Sequence, residues 1–350
     1  MVNYAGGLSA QLMIAAESTV GTAVTVTTGY EMLGGETLAF DPTFLDGQGL
    51  KAGTGYKRAS RTVVSRVQAI GDIPMEFGDR GHFGLWLKHA IGSTITTPTN
   101  IATTAYKQIH TPGSKTGLSL TIQEGQTEAS DQVVKPFTYN GCKIPSWEFS
   151  CNDNQIAQIK FTVDAWNETN ATALAAASYT SGVIPFSFAD ATTFTVGGTA
   201  STAAGETTIG GSPTTVTTVC NGVTIACATP MKTDRYGLGN AGVKREQFEN
   251  DIPTITGTLT SEFTNLTDFY NTFKANTTTP LQLAFSHGDA GSSNPFLLSF
   301  IFPAVRFKTA QVNVPGPDLL TQAVTFEAYD DGSGTNPVFQ VKLVSVDTTL

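Results

Sequence analysis

The chain has 350 residues, of which 14% are charged, and a net charge of −9 at neutral pH. Ordinary soluble domains carry roughly 25% charged residues, so a surface this poor in charge suggests cover by other subunits, while the acidic balance argues against a protein that grips nucleic acid through its phosphates. The length allows two or three domains, each with its own core, and no apolar run approaches the roughly 18 residues that span a bilayer.

The start, MVNYAGGLSA, has neither the basic opening nor the apolar stretch of a signal peptide, which predicts a soluble chain made in the cytosol. SAQLMIAAESTVGTAVTVTT reads as an extended or arm-like start with one strand and no strong helix signal. Tyr30 to Phe40, with Gly34-Gly35 inside, predicts a hairpin, and VTTVCNGVTIA is its counterpart further on, with Asn221-Gly222 as a two-residue turn. A Gly-rich basic loop follows each. The first carries Lys51, Lys57, Arg58 and Arg61; the second carries Lys232, Arg235, Lys244 and Arg245, and Gly53 aligns with Gly239. Long loops in compact domains usually have a function, and clustered positive charge at equivalent places in an acidic protein predicts an intermolecular contact.

The stretch GDIPMEFGDRGHFGLWLKHAIG begins at Gly71. Alternation of Ile73, Met75 and Phe77 with polar positions predicts a half-buried strand. Asp79 is placed to cap a helix whose apolar stripe is Phe83, Trp86, Leu87, Ala90 and Ile91, and Gly92 sits at its left-handed end. The unit returns without gaps 186 positions later as GTLTSEFTNLTDFYNTFKANTT, with Gly71, Glu76, Phe77, Phe83 and Lys88 meeting Gly257, Glu262, Phe263, Phe269 and Lys274. Lysine in the last turn suits the negative end of the helix dipole.

The Thr- and Pro-rich interval near 96–115 reads as an insertion that decorates the first copy. Beyond it the offset becomes 163: Leu118, Leu120, Ile122 and Gly125 face Leu281, Leu283, Phe285 and Gly288, and FTVDAW from Phe161 matches VTFEAY from Val324. So long a period means duplication of a whole domain. The expected organisation is a first β domain over 1–170, a linker over 171–182, and a second β domain over 183–350 with a Thr/Gly-rich hairpin near 194–218. A last strand at 337–346 has no partner in the first copy and is expected to pair outside its own domain.

No recognisable catalytic or metal-binding spacing emerges. His82, His89, His110 and His287 are scattered, and Cys142, Cys151, Cys220 and Cys227 form no CxxC pair and are expected to be reduced. The stretch from Gly237 to Gly242 matches GxGxxG but lacks the flanking strand and helix of a dinucleotide site. Asp330-Asp331 and Asn152-Asp153-Asn154 lack EF-hand spacing and read as turns. The reading is therefore of a non-enzyme without cofactor or metal.

Together IAAESTVGTAVT, the Gly-rich basic loop, GDIPMEF running into HFGLWLKHAIG, and IPTITGTLTSEF resemble the major tail tube proteins of long-tailed, siphovirus-type bacteriophages. The resemblance implies a mainly β chain, here two tandem copies of an antiparallel β-barrel or sandwich, each flanked by a short helix. It implies rings stacked into a hollow tube in the virion, the conduit for genome delivery. Two copies per chain would let three chains complete a pseudo-sixfold ring. The implied partners are other copies of the chain, the tape measure protein, the tail terminator and distal tail proteins, with double-stranded DNA passing through without specific binding and no membrane. In that setting the basic loops are candidates for ring stacking. Glu76, Asp164, Glu262 and Glu327, opposite the core-facing residues of their strands, are candidates for the lumen wall. The alternatives are another virion structural protein, such as a decoration, baseplate or distal tail protein, or an adhesin-like β protein of the cell surface.

Overall fold

The computed structural model describes residues 6–92, 97–312, 314 and 316–350. It is mainly β, with two short α-helices and large antiparallel sheets. The elements that build the fold are strands β1 (Gln11–Ala16) and β2 (Ala69–Glu76), helix α1 (Phe83–Ile91), and strands β3 (Tyr106–His110), β4 (Leu120–Thr127), β5 (Val134–Asn152), β6 (Gln158–Ala165), β7 (Ala191–Val196), β8 (Cys220–Ala228) and β9 (Thr254–Glu262). Helix α2 (Tyr270–Ala275) and strands β10 (Thr279–Gly291), β11 (Asn294–Thr309), β12 (Thr321–Ala328) and β13 (Gln340–Ser345) follow.

The two halves use one strand order. In the first, β2 pairs with β6, β6 with β5, β5 with β4 and β4 with β1; in the second, β9 pairs with β12, β12 with β11, β11 with β10 and β10 with β7. Registers agree as well. Ile73 lies opposite Phe161 and Leu259 opposite Val324; Lys143 lies opposite Asp164 and Arg306 opposite Glu327. The bulges fall in matching stretches, between Lys143 and Ser146 in the first half and between Phe307 and Thr309 in the second, so that Ser146 meets Thr162 and Thr309 meets Thr325. One alignment is corrected. Tyr139 pairs with Ile122 and Phe302 with Leu281, so Ile122, not Leu118, occupies the place of Leu281. A slip of four residues preserves the inward face of a strand, which is why hydrophobic alternation could not detect it.

Glycine recurs at 71 and 257 for packing reasons. A Cβ at Gly257 would lie 2.1 Å from the Phe326 ring, and one at Gly71 would lie 2.3 Å from the Thr37 carbonyl oxygen. The α1 stripe is buried as expected, Trp86 stacks on Phe161 at 4.7 Å, and Gly92 closes the helix with φ 76°. Asp79 does not cap it. That carboxylate accepts the Ile184 amide at 3.0 Å and pairs with Arg80 at 2.9 Å, while Asp347 accepts the amides of Gly81 and His82 at 3.3 and 3.0 Å. A partner 265 positions away in sequence is invisible to local pattern.

Several other expectations are corrected. The opening segment holds the one strand expected, but not as an arm, since β1 is paired on both edges and Leu12, Met13 and Ile14 are buried. Tyr30 to Phe40 is not a hairpin: Thr28–Tyr30 pairs with β1 and Ala39–Phe40 with β2. Asn221-Gly222 is not a turn but part of β8, which runs between β5 and β9 with a bulge at that point. Ladders on both edges override a local turn signal. The insertion builds rather than decorates, although Thr96 lies outside the described residues. Its strand β3 pairs with β13, with Gln108, Ile109 and His110 buried. The last strand thus pairs outside its own half, as expected, and also with β11. The Thr/Gly-rich hairpin pairs Thr199–Ala203 with Glu206–Gly210 and is tied down by ion pairs from Lys107 and Lys342 to Glu206.

One hydrophobic core runs through both halves. Phe149 of the first packs at 5.4 Å from Phe285 and 4.7 Å from Phe300 of the second. Residues 171–182 contain no named strand and lie on the first half, where Ala175 bonds with Gln11 and Gln123, and Ser178 with Gly29.

Candidate assembly surfaces

Six strands from both halves form a continuous run in the order β2, β6, β5, β8, β9, β12. One face carries Ile73, Phe161, Trp147, Cys227, Leu259 and Val324 into the core. Because side chains alternate across a sheet, the opposite face is set by the same registers. One row across it reads Glu76, Gln158, Ser150, Thr224, Thr258 and Thr325; the next reads Pro74, Lys160, Glu148, Ala226, Thr256 and Glu327. Serine, threonine, alanine and proline fill seven of the twelve places, and Glu76, Glu148, Lys160 and Glu327 are the charged ones. Acids outnumber bases on the six strands, with Asp72, Glu76, Glu148, Asp164, Glu262 and Glu327 against Lys135, Lys143 and Lys160.

The four acids proposed from sequence do not share one environment. Glu76 and Glu262 are partly exposed at strand ends on this face. Glu327 accepts the Tyr329 hydroxyl at 2.6 Å and pairs with Lys308 at 2.9 Å, contacts that hold its carboxyl below the usual range. Asp164 is buried: Lys244 Nζ lies 2.5 Å from one carboxylate oxygen, and Gln247 Nε2 donates to the other at 2.7 Å.

The eight basic residues divide similarly. Lys51, Lys57, Arg61, Lys232 and Arg245 are exposed. Lys57 pairs with Asp46 at 2.6 Å and Lys232 with Asp234 at 2.8 Å, while Arg58 donates to the Gly49 carbonyl at 2.9 Å. Lys244 is fully buried in its pair with Asp164, and Arg235 lies over the Phe248 ring at 4.5 Å and donates to the Glu246 carbonyl. The second loop is thus folded onto the first half, where Glu246 also pairs with Lys143 at 2.7 Å and Gln247 accepts from Trp166 at 2.9 Å.

The first loop instead tips a two-stranded arm, Thr43–Asp46 with Thr62–Arg66. Phe44, Leu45, Val63 and Val64 are 52 to 61% exposed there. Phe44 lies opposite Val64 and Leu45 opposite Val63, so both faces of the arm are apolar. Two isolated strands are marginal in water, and this arm needs cover on both sides. Sequence reading missed these residues because two apolar pairs flanking a charged loop resemble an ordinary half-buried hairpin.

Among titratable groups elsewhere, Glu124 is buried beside Glu36, and burial followed by that second carboxylate pushes it up to about 9. Burial pulls His89 down to about 4 and His110 to about 3. The four cysteines are free. Among the described residues no cluster of metal-binding side chains occurs, and no helix is long and apolar enough to cross a membrane. A family model described as phage tail tube protein matches residues 7–328. No curated protein matches the chain.

Proposed function

The chain belongs to the phage tail tube protein family and is a structural protein of the phage tail, and from that premise we propose that three copies close into a ring and that rings stack into the tail tube through which the genome leaves. The observation that carries this reading is the six-strand sheet shared by both halves, with one face on the core and the other polar and acidic on balance. Two halves with the same strand order and registers support an ancestral duplication, so that three chains supply six equivalent sectors. Closed rings cover edge strands that would otherwise template aggregation.

The threonine-rich face is the lumen wall in this proposal, with Glu76, Glu148 and Glu262 as its acids, while Glu327, held by Lys308 and Tyr329, stands on β12, the last strand of the six. Such a wall repels phosphates weakly, whereas unpaired lysine or arginine there would retain DNA by releasing its counterions; its Lys160 is paired with Glu148 at 3.6 Å. Asp164 lies beneath the second loop and is assigned a structural role. The exposed cations Lys51, Lys57, Lys232 and Arg245 are assigned to contacts between successive rings. Tape measure, terminator and distal tail proteins are the expected partners inside and at the ends of the tube.

Electron microscopy of the purified protein tests the proposal. Hollow tubes of stacked rings are expected; compact particles or closed shells would favour a decoration or baseplate role instead.

A further inference from the structure

The two basic loops stand on equivalent hairpins. Leu45 pairs with Val63 and Asp46 with Thr62, and 186 positions later Met231 pairs with Glu249 and Lys232 with Phe248. Since that spacing holds on both sides of the loop, Arg58 occupies the position of Lys244 and Arg61 that of Gln247. Their surroundings differ. Lys244 and Gln247 converge on Asp164 of the first half, whereas Arg58 binds a carbonyl of its own loop and Arg61 is exposed.

The seat that receives the second loop is itself repeated. Asp164 opposite Lys143, followed by Trp166, corresponds to Glu327 opposite Arg306, followed by Tyr329, with a bulge within three residues of Lys143 and of Arg306. At the second seat Glu327 is held by Lys308 and Tyr329, and Arg306 stacks over the Tyr329 ring at 5.4 Å. The Nε atom of Arg306 is buried without a hydrogen-bond partner among the described residues. A filled seat and its repeat therefore exist in one chain, together with a second loop of the matching kind.

We propose that the first basic loop docks on the second half of a neighbouring copy in the same ring, with Arg58 and Arg61 converging on Glu327 as Lys244 and Gln247 converge on Asp164 within the chain. This inference rests on the three-chain ring proposed above. The partner is a second copy of this chain because the existing contact between the two halves supplies its template. Guanidinium groups match a carboxylate in a fixed, often bidentate geometry, which sets the register of the contact. The apolar faces of the arm, Phe44 with Val64 and Leu45 with Val63, supply area to be covered. Lys308, 47% exposed in the single chain, yields Glu327 to the two arginines and remains in solvent. The charge of Lys308 and Arg306 opposes the incoming loop, so the carboxylate of Glu327 is what makes the contact possible.

The test is a charge exchange measured by the concentration at which tubes form. Arg58→Glu with Arg61→Glu, and separately Glu327→Arg, are each expected to raise that concentration about tenfold or more. Combining all three substitutions in one chain is expected to recover most of the loss. Wild-type assembly by both partial variants, or a combined variant no better than either, would overturn the inference. A density map of wild-type tubes gives an independent reading if the variants misfold. Arg58 or Arg61 within hydrogen-bond distance of Glu327 in the adjacent chain of one ring is expected. Three-chain rings with this loop elsewhere would remove the inference and leave the ring reading intact, whereas rings of another composition would remove both.

Discussion

At the scale of single residues, the buried pair Lys244 and Asp164 joins the second loop to the first half, and its removal has a definite cost. Lys244→Met leaves a buried carboxylate without its cation and is expected to destabilise the chain by about 3–5 kcal/mol in chemical denaturation, far more than loss of an exposed pair such as Lys57 with Asp46. Sequence alternation correctly turned Asp164 away from the core residues Phe161 and Val163, but could not reveal that a loop 80 residues later covers it. Glu124 gives a pH signature. Its carboxyl holds a proton in the folded chain up to about pH 9, against an ordinary value of 4.5. Between those values the unfolded chain is the more ionised, so this group makes stability fall as pH rises. Glu124→Gln is expected to raise the melting temperature relative to wild type at pH 8, with a smaller gain or none at pH 4; an equal change at both would contradict the assignment.

At the scale of elements, what was legible was what local periodicity encodes. The α1 stripe, its glycine end and the strand before it follow from residues within two dozen positions, and the 186-position echo carried over to the second helix and to the two basic loops, though the paired strands beneath them were not legible. Elements decided by distant partners were not legible. Strand β8 continues through Asn221-Gly222 because β5 and β9 hold its two edges, and β3 forms within a threonine-rich insertion because β13 arrives from the other end of the chain. The arm is the element on which assembly should depend most. Changing Lys57, Arg58 and Arg61 together to Ser is expected to leave circular dichroism and melting unchanged while impairing polymerisation. Normal tubes from that variant would count against a role for the loop.

At the scale of the whole molecule, low charge, an apolar arm and one core extending through both halves are the features on which the proposed assembly of like subunits rests. The candidate site was partly readable, because strand alternation separated the core-facing residues from the polar face but not the continuity of that face across the halves, which depends on the ladder between β5 and β8. Glu76→Lys with Glu262→Lys is expected to permit tube assembly and to slow or block genome ejection, as followed by DNA release from reconstituted phage; unchanged ejection would remove both from the wall. The central claim is that each chain supplies two sectors of one ring. A cross-section of the assembled tube at side-chain resolution measures this directly. The account predicts three chains per ring, with both halves of every chain contributing the β2, β6, β5, β8, β9, β12 sheet to the lumen, and six chains each contributing one half would contradict it.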